Sequence, residues 1–135
     1  MDIYFAGTSN SAAEILKSLA SNDLFNIKGV ITQPDKKGKR GNQRIESPVS
    51  LMANSLNLHT YKPHNLIKEH IQNDIDINNA DILLVVAYGK LIPNWILESN
   101  IKAINIHYSV LPSYRGASPI QSSLLNNDKK TGVTF

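Results

Sequence analysis

The chain has 135 residues, enough for one domain with its own hydrophobic core, and its 41% apolar and 19% charged content is ordinary for a globular protein. It has no cysteine, which excludes disulfides, thiol nucleophiles and thiolate metal sites. Of its fourteen Lys and Arg, five fall between Lys36 and Arg44 in a stretch without an acid, leaving nine cations against eleven acids elsewhere under a net charge of +3. Basicity this local points to a polyanion meeting one loop rather than the whole surface.

Taken in chain order, short apolar runs alternate with helix-period stretches. The expected fold is therefore α/β and Rossmann-like, a mostly parallel sheet with helices on both faces. A first strand covers residues 3–6 and turns at Gly7-Thr8. No basic-then-apolar leader precedes it, which argues against a secretory signal and for a cytoplasmic protein. The next helix opens on a capping box, Ser11-Ala12-Ala13-Glu14, and its apolar positions Ala12, Ile15, Leu16, Leu19 and Ala20 keep helical spacing. A second strand spans residues 27–32. Residues 33–46 read as a long polar connection without helical period.

Ser47-Pro48 reads as cap and first residue of another helix, with Val49, Met52, Ala53 and Leu56 as its buried stripe. A brief strand near residues 59–61 and a helix over residues 65–71 follow. Residues 82–86, Ile-Leu-Leu-Val-Val, are apolar on both faces, as in a central parallel strand. The apolar run they belong to is too short for a bilayer, which takes roughly twenty residues. Residues 93–98 form a short helix and 102–107 a further strand, followed by a loop to Ala117. Ser118-Pro119 repeats the cap-and-proline signature and starts a helix to about Asn127. Residues 131–135 read as half a strand, so the domain looks truncated.

Asn105 and His107 alternate onto one face at the carboxyl end of their strand, the edge where open parallel sheets bind ligands. There, an amide and an imidazole can both donate to an oxygen gaining negative charge, the requirement of acyl transfer through a tetrahedral intermediate. The imidazole can also move protons near neutral pH. On Asn-x-His alone, a turn-capping Asn and a satisfied buried His explain the pair better.

The surrounding residues change that balance. His107 runs into Tyr108-Ser109-Val110-Leu111-Pro112 and then Ser113-Tyr114-Arg115-Gly116. This string resembles the signature of the folate-dependent formyltransferases, in which Asn-x-His leads into a Ser-Leu-Leu-Pro loop, with Val110 here in place of the first Leu. Phe5-Ala6-Gly7-Thr8, Thr32-Gln33-Pro34-Asp35, Ser47-Pro48-Val49, Val86-Ala87-Tyr88-Gly89 and Arg115-Gly116-Ala117 extend the resemblance in order and spacing. Together they are similar to the N-terminal half of the methionyl-tRNA formyltransferases, over almost the whole chain.

That resemblance implies formyl transfer from 10-formyltetrahydrofolate to the α-amino group of methionine on initiator methionyl-tRNA, by direct attack and without a metal. Asn105 and His107 then stabilise the oxyanion and handle the proton. Ser109, Val110, Leu111 and Pro112 hold the folate, with Tyr88, Gly89 and Leu91 as weaker candidates for its pterin pocket. The family also uses an aspartate beyond residue 131 and a C-terminal tRNA-binding domain. Neither is found here, so an incomplete catalytic domain of weak or no activity is expected. Asp74 and Asp76 read as solvated loop residues, and Asp128 as a helix-end group.

The basic stretch Lys36, Lys37, Lys39, Arg40 and Arg44 is by default a solvated connection. It could nonetheless neutralise phosphates, and its lack of aromatics favours backbone contact over base stacking. The resemblance places a tRNA-contacting loop at this point, with Arg40-Gly41 where that family has a functional Arg-Gly. A monomer is expected. Within the same chemistry the alternatives are a sugar-nucleotide N-formyltransferase and a formyltetrahydrofolate hydrolase, neither of which explains five cations. From another class, the alternative is a folate- or RNA-binding fragment. No phosphate-loop or dinucleotide glycine motif is present. His59, His64 and His70 lack metal-ligand spacing, no G-x-S-x-G marks a serine hydrolase, and Trp95 reads as packing.

Overall fold

The computed structural model describes residues 1–38, 43–71 and 74–135. In chain order the elements are β1 (Asp2–Gly7), α1 (Asn10–Ala20), β2 (Asn26–Ile31), β3 (Lys36–Lys37), β4 (Arg44–Ile45) and α2 (Pro48–Ser55). They continue with β5 (Thr60–Tyr61), α3 (Lys68–Ile71), a 3-10 turn (Ile77–Asn79), β6 (Ile82–Val86), α4 (Asn94–Leu97), β7 (Lys102–Ile106) and α5 (Pro119–Leu125). Five strands form one parallel sheet in the order β5-β2-β1-β6-β7, the Rossmann-like α/β layout expected from the alternating apolar runs.

Strand alternation divides the core in two. On one face Phe5, Val30 and Val86 meet Ala12, Ala13 and Leu16 of α1 and Val49 and Ala53 of α2. On the other face Tyr4, Ala6, Ile31, Leu83 and Val85 meet Leu66, Ile71, Ile75, Ile77 and Ile96. Trp95 packs against this second cluster and donates its indole N–H to the Leu66 carbonyl at 2.9 Å, so it serves packing as expected. Removing a wholly buried Leu or Ile from either cluster costs about 2–5 kcal/mol.

Several expectations about element ends change. The cap of α1 is Ser9, whose hydroxyl accepts from Ala12 N at 3.2 Å, and not Ser11. Ser9 is extended (φ −78°, ψ 170°), as a cap must be, whereas Ser11 already lies within the helix. Ser47 does cap α2, accepting from Ser50 N at 3.0 Å ahead of Pro48. Ser118 makes no such bond ahead of α5. The helix expected over 65–71 is confined to Lys68–Ile71.

The polar connection of residues 33–46 is not structureless. Lys36 pairs with Ile45 and Lys37 with Arg44 in an antiparallel ribbon, β3–β4. Residues 131–135 do not form a strand. Thr134 instead makes one antiparallel bridge to His107, with both N–H···O distances at 2.9 Å.

Candidate active site

Strand register assembles the site. Gly7 lies opposite Val86, and Val86 opposite Ile106, so β1, β6 and β7 end on one row. The residues just past that row, Thr8, Ala87-Tyr88 and His107, therefore emerge along a common edge. Gly7 permits the tight junction, because a Cβ there would lie 2.9 Å from both the Val86 carbonyl oxygen and the Ala12 Cβ. Ala87 takes a left-handed φ of 44°, which turns the chain sharply out of β6.

The loops behind this edge converge on one acceptor. The Tyr88 carbonyl receives the Thr8 hydroxyl at 2.9 Å and the Gln33 side-chain amide at 2.8 Å, which joins the exits of β1, β2 and β6. Gln33 drew no role from sequence, since only the tertiary fold brings it to Tyr88.

A cavity of about 690 Å³ opens over this edge, lined by Ser9, Val85, Ala87 to Leu91, Asn105 to Tyr108, Gly116, Ala117 and Pro119. Four separate chain segments build it. A larger cleft of about 860 Å³ beside β5 is walled, among the described residues, by two neighbouring stretches, His59 to Asn65 with Ile67, and Ile71, Asp74 and Ile75. Convergence of distant segments at the strand ends marks the smaller one as the candidate site.

Asn105 pairs with Val85, whose side chain belongs to the core face opposite α1 and α2, so Asn105 shares that face. Its side chain is exposed at the cavity, and His107 is half-buried beside it. His107 Nε2 lies 3.0 Å from the carbonyl oxygen of Tyr114. Tyr108 donates its hydroxyl to Ser11 Oγ at 2.9 Å, closing the loop onto α1.

The remaining sequence candidates divide. Tyr88, Gly89 and Leu91 line the cavity, Leu91 at its rim with 92% exposure. Tyr88 is wholly buried, its phenolic oxygen has no partner among the described residues, and burial pushes its pKa up to about 12. Ser109, Val110, Leu111 and Pro112 are not part of the lining. Ser109 is buried and donates its hydroxyl to the Ser113 carbonyl at 2.6 Å, while its own carbonyl accepts from Thr134 Oγ1 at 2.7 Å. Val110, Leu111 and Pro112 are exposed on the outer side of the turn, with the Leu111–Pro112 peptide cis.

Lys36, Lys37 and Arg44 are exposed on the ribbon, and Lys39 and Arg40 lie outside the described residues. Lys36 and Ile45 line a small cleft of about 190 Å³ with Thr8 and Gln33, the residues that reach Tyr88. Cross-strand partners share a face, so Lys37 and Arg44 present like charges together on the other side. One ammonium grips both stems of the ribbon: Lys62 Nζ is 2.7 Å from Asp35, which precedes β3, and 2.9 Å from Glu46, which follows β4. Burial works against the Lys62 charge, but hydrogen bonds to Asp35 and Glu46 hold its pKa above the usual value. A hydrogen bond from Ser50, then the one from Lys62, holds Glu46 below its own.

Asp74 and Asp76 are exposed, as expected, and so are His59 and His64, while the side chain of His70 lies outside the described residues. Among the described residues no cluster of three or more His, Asp or Glu is placed to hold a metal, and no helix is long and apolar enough to cross a membrane.

The comparison with known proteins matches the whole length, residues 1–135, to the formyl transferase family. The chain belongs to that family. Among solved structures it is similar to phosphoribosylglycinamide formyltransferase from Anaplasma phagocytophilum (TM-score 0.75, 22% identity), covering 99% of this chain and 62% of that one. The corresponding protein of Bacillus halodurans gives a TM-score of 0.72 at 20% identity, covering 99% of this chain and 70% of that one. A sugar 3N-formyl transferase, WlaRD, gives 0.62 at 25% identity, with 99% of this chain matched to 44% of that one. This formyl transferase chain thus spans from under half to about 70% of the length of these structures.

Proposed function

We propose that the protein transfers a formyl group from 10-formyltetrahydrofolate to the α-amino group of methionine on initiator tRNA, with Asn105 and His107 as catalytic residues. Residues 1–135 are then its N-terminal catalytic portion. The observation that carries formyl transfer is the convergence of an amide and an imidazole on a cavity built at three strand ends in a formyl transferase chain. Its volume suits a pterin-bearing cosubstrate. A folate donor is also supported by WlaRD, which is described with 5-N-formyl-THF.

In this reaction the amine lone pair attacks the formyl carbon, and the new C–N bond forms as the carbonyl oxygen takes on negative charge. Asn105 donates to that oxygen, and His107 accepts the proton leaving the amine. When the C–N10 bond of the donor breaks, N10 takes a proton and leaves as tetrahydrofolate. On this reading Tyr88, Gly89 and Leu91 face the pterin, and the turn from Ser109 to Pro112 braces the folate from outside the lining.

The acceptor reading rests on the ribbon. Lys36, Lys37 and Arg44 are exposed, and the base of the ribbon shares a small cleft with Thr8 and Gln33, which hydrogen-bond the carbonyl of the cavity residue Tyr88. A polyanion held there lies beside the reacting centre. The test is an acceptor comparison with the full-length protein and 10-formyltetrahydrofolate, using methionyl initiator tRNA, phosphoribosylglycinamide, an amino-sugar nucleotide, and water alone. The tRNA is expected to lead in kcat/KM by about 100-fold or more, a margin that contacts beyond the reacting amine can supply. A small amine that leads would overturn the tRNA assignment and leave formyl transfer standing. Donor cleavage without transfer to any amine would overturn both.

A further inference from the structure

We infer that Tyr114 is a positioning residue that fixes the proton of neutral His107 on Nε2, leaving Nδ1 as the atom that takes the proton from the attacking amine. This rests on His107 being the proton-handling group in the reading above.

A carbonyl oxygen can only accept, so the 3.0 Å contact between His107 Nε2 and the Tyr114 carbonyl requires a proton on Nε2. A neutral imidazole carries one ring proton, and its lone pair is then on Nδ1. Once Nδ1 takes the amine proton, the Nε2–H···O=C bond becomes charge-assisted and strengthens, which holds the imidazolium until the proton is passed to the donor nitrogen. The neutral ring therefore acts first as base, and Asn105 carries the early oxyanion donation.

Tyr114 is built to hold that carbonyl in place. Its φ is 55°, a conformation unfavourable for a residue with a side chain, and it persists because the side chain is tied down. The hydroxyl donates to the Asp128 carboxylate and accepts from the Asn126 amide at 2.9 Å. Asn126 is the C-cap of α5 and Asp128 lies two residues beyond it, so the end of that helix fixes the ring, the ring fixes the backbone, and the backbone fixes His107. Ser109 tightens the same turn through its bond to the Ser113 carbonyl. Among the described residues the other titratable groups lining the cavity are Tyr88, Lys90 and Tyr108, and the Lys90 ammonium is already held by the carbonyls of Pro63 and His64.

Imidazole 15N NMR on the histidine-labelled full-length protein reads the tautomer directly. A neutral His107 with Nε2 protonated and Nδ1 bare is expected, and a predominantly Nδ1–H ring overturns the inference. Kinetics supply the second arm. Tyr114→Phe keeps the ring and removes both anchors, so kcat is expected to fall about five- to tenfold, the rate equivalent of one lost hydrogen bond, with the folate KM little changed. The acid limb of its kcat/KM profile should move to lower pH, because a loosened carbonyl stabilises the imidazolium less. A purely structural role for Tyr114 would not move that limb. Asp128→Asn, which still offers an acceptor, is expected to retain most of the rate. Unchanged kcat and pH profile in Tyr114→Phe, with His107→Ala inactive, would refute the positioning role alone. Full activity in His107→Ala would remove the reading beneath it.

Discussion

Single residues in this site differ in how far sequence could place them. The shared edge of Asn105 and His107 was legible because a strand has a strict two-residue period, which puts Asn105 of β7 and His107 just beyond its end on one face. The contact between His107 and Tyr114 was not legible, since it depends on a left-handed residue seven positions along an irregular loop. The motif around Tyr88 points to a pocket role, but its burial, with no partner for the hydroxyl among the described residues, appears only in three dimensions. That group carries a stability prediction. A folded-state pKa of about 12 lies above a phenol's ordinary 10.0, so Tyr88 contributes stability fully below pH 10 that is lost as pH rises toward 12. The loss amounts to about 3 kcal/mol. Denaturant melts of Tyr88→Phe should show a smaller alkaline loss, and at neutral pH the variant should be as stable as the parent or more so. Some alkaline loss should persist, because Tyr4 and Tyr61 are also shifted upward, mainly by burial. A marked loss of stability at pH 7 would show that the hydroxyl has a partner.

Among the elements, the helices and strands with clear periodicity lie where spacing puts them, and the errors fall at their ends. Ser9 and Ser11 are two residues apart, and only the extended backbone at Ser9 decides which one caps α1. The β3–β4 ribbon escaped notice because two-residue strands leave no period to read. Its fastening escaped too, since Asp35, Glu46 and Lys62 are scattered in sequence and meet only when β5 joins β2. If the acceptor is tRNA, as proposed, that fastening predicts two separable effects on its binding. Neutralising Lys37 and Arg44 together should weaken tRNA binding and lower the log–log salt slope by about 2, one per phosphate contact. Lys62→Met leaves the outer cations in place but frees both stems and unmasks two carboxylates. Affinity should fall in that variant, and Lys62→Arg should restore it. Filter binding across a salt series distinguishes these outcomes, and a double variant with an unchanged slope would return the ribbon to a solvated connection.

For the whole molecule, the sheet order β5-β2-β1-β6-β7 explains why residues far apart in sequence form one site. Each parallel connection returns the chain to the same edge, so the exits of β1, β2, β6 and β7 meet there. Alternating apolar runs made that architecture legible, and the family match over residues 1–135 agrees with it. The acceptor was less legible, because similar scaffolds carry different formyl transfers, as the phosphoribosylglycinamide and sugar transferases do. The most direct measurement is single-turnover formyl transfer by the full-length protein and its His107→Ala variant, with folate binding followed in parallel. Transfer is expected to fall by about 100-fold or more in the variant, the scale of a lost general base, while folate affinity stays within about threefold. Near-normal transfer by His107→Ala would contradict the account.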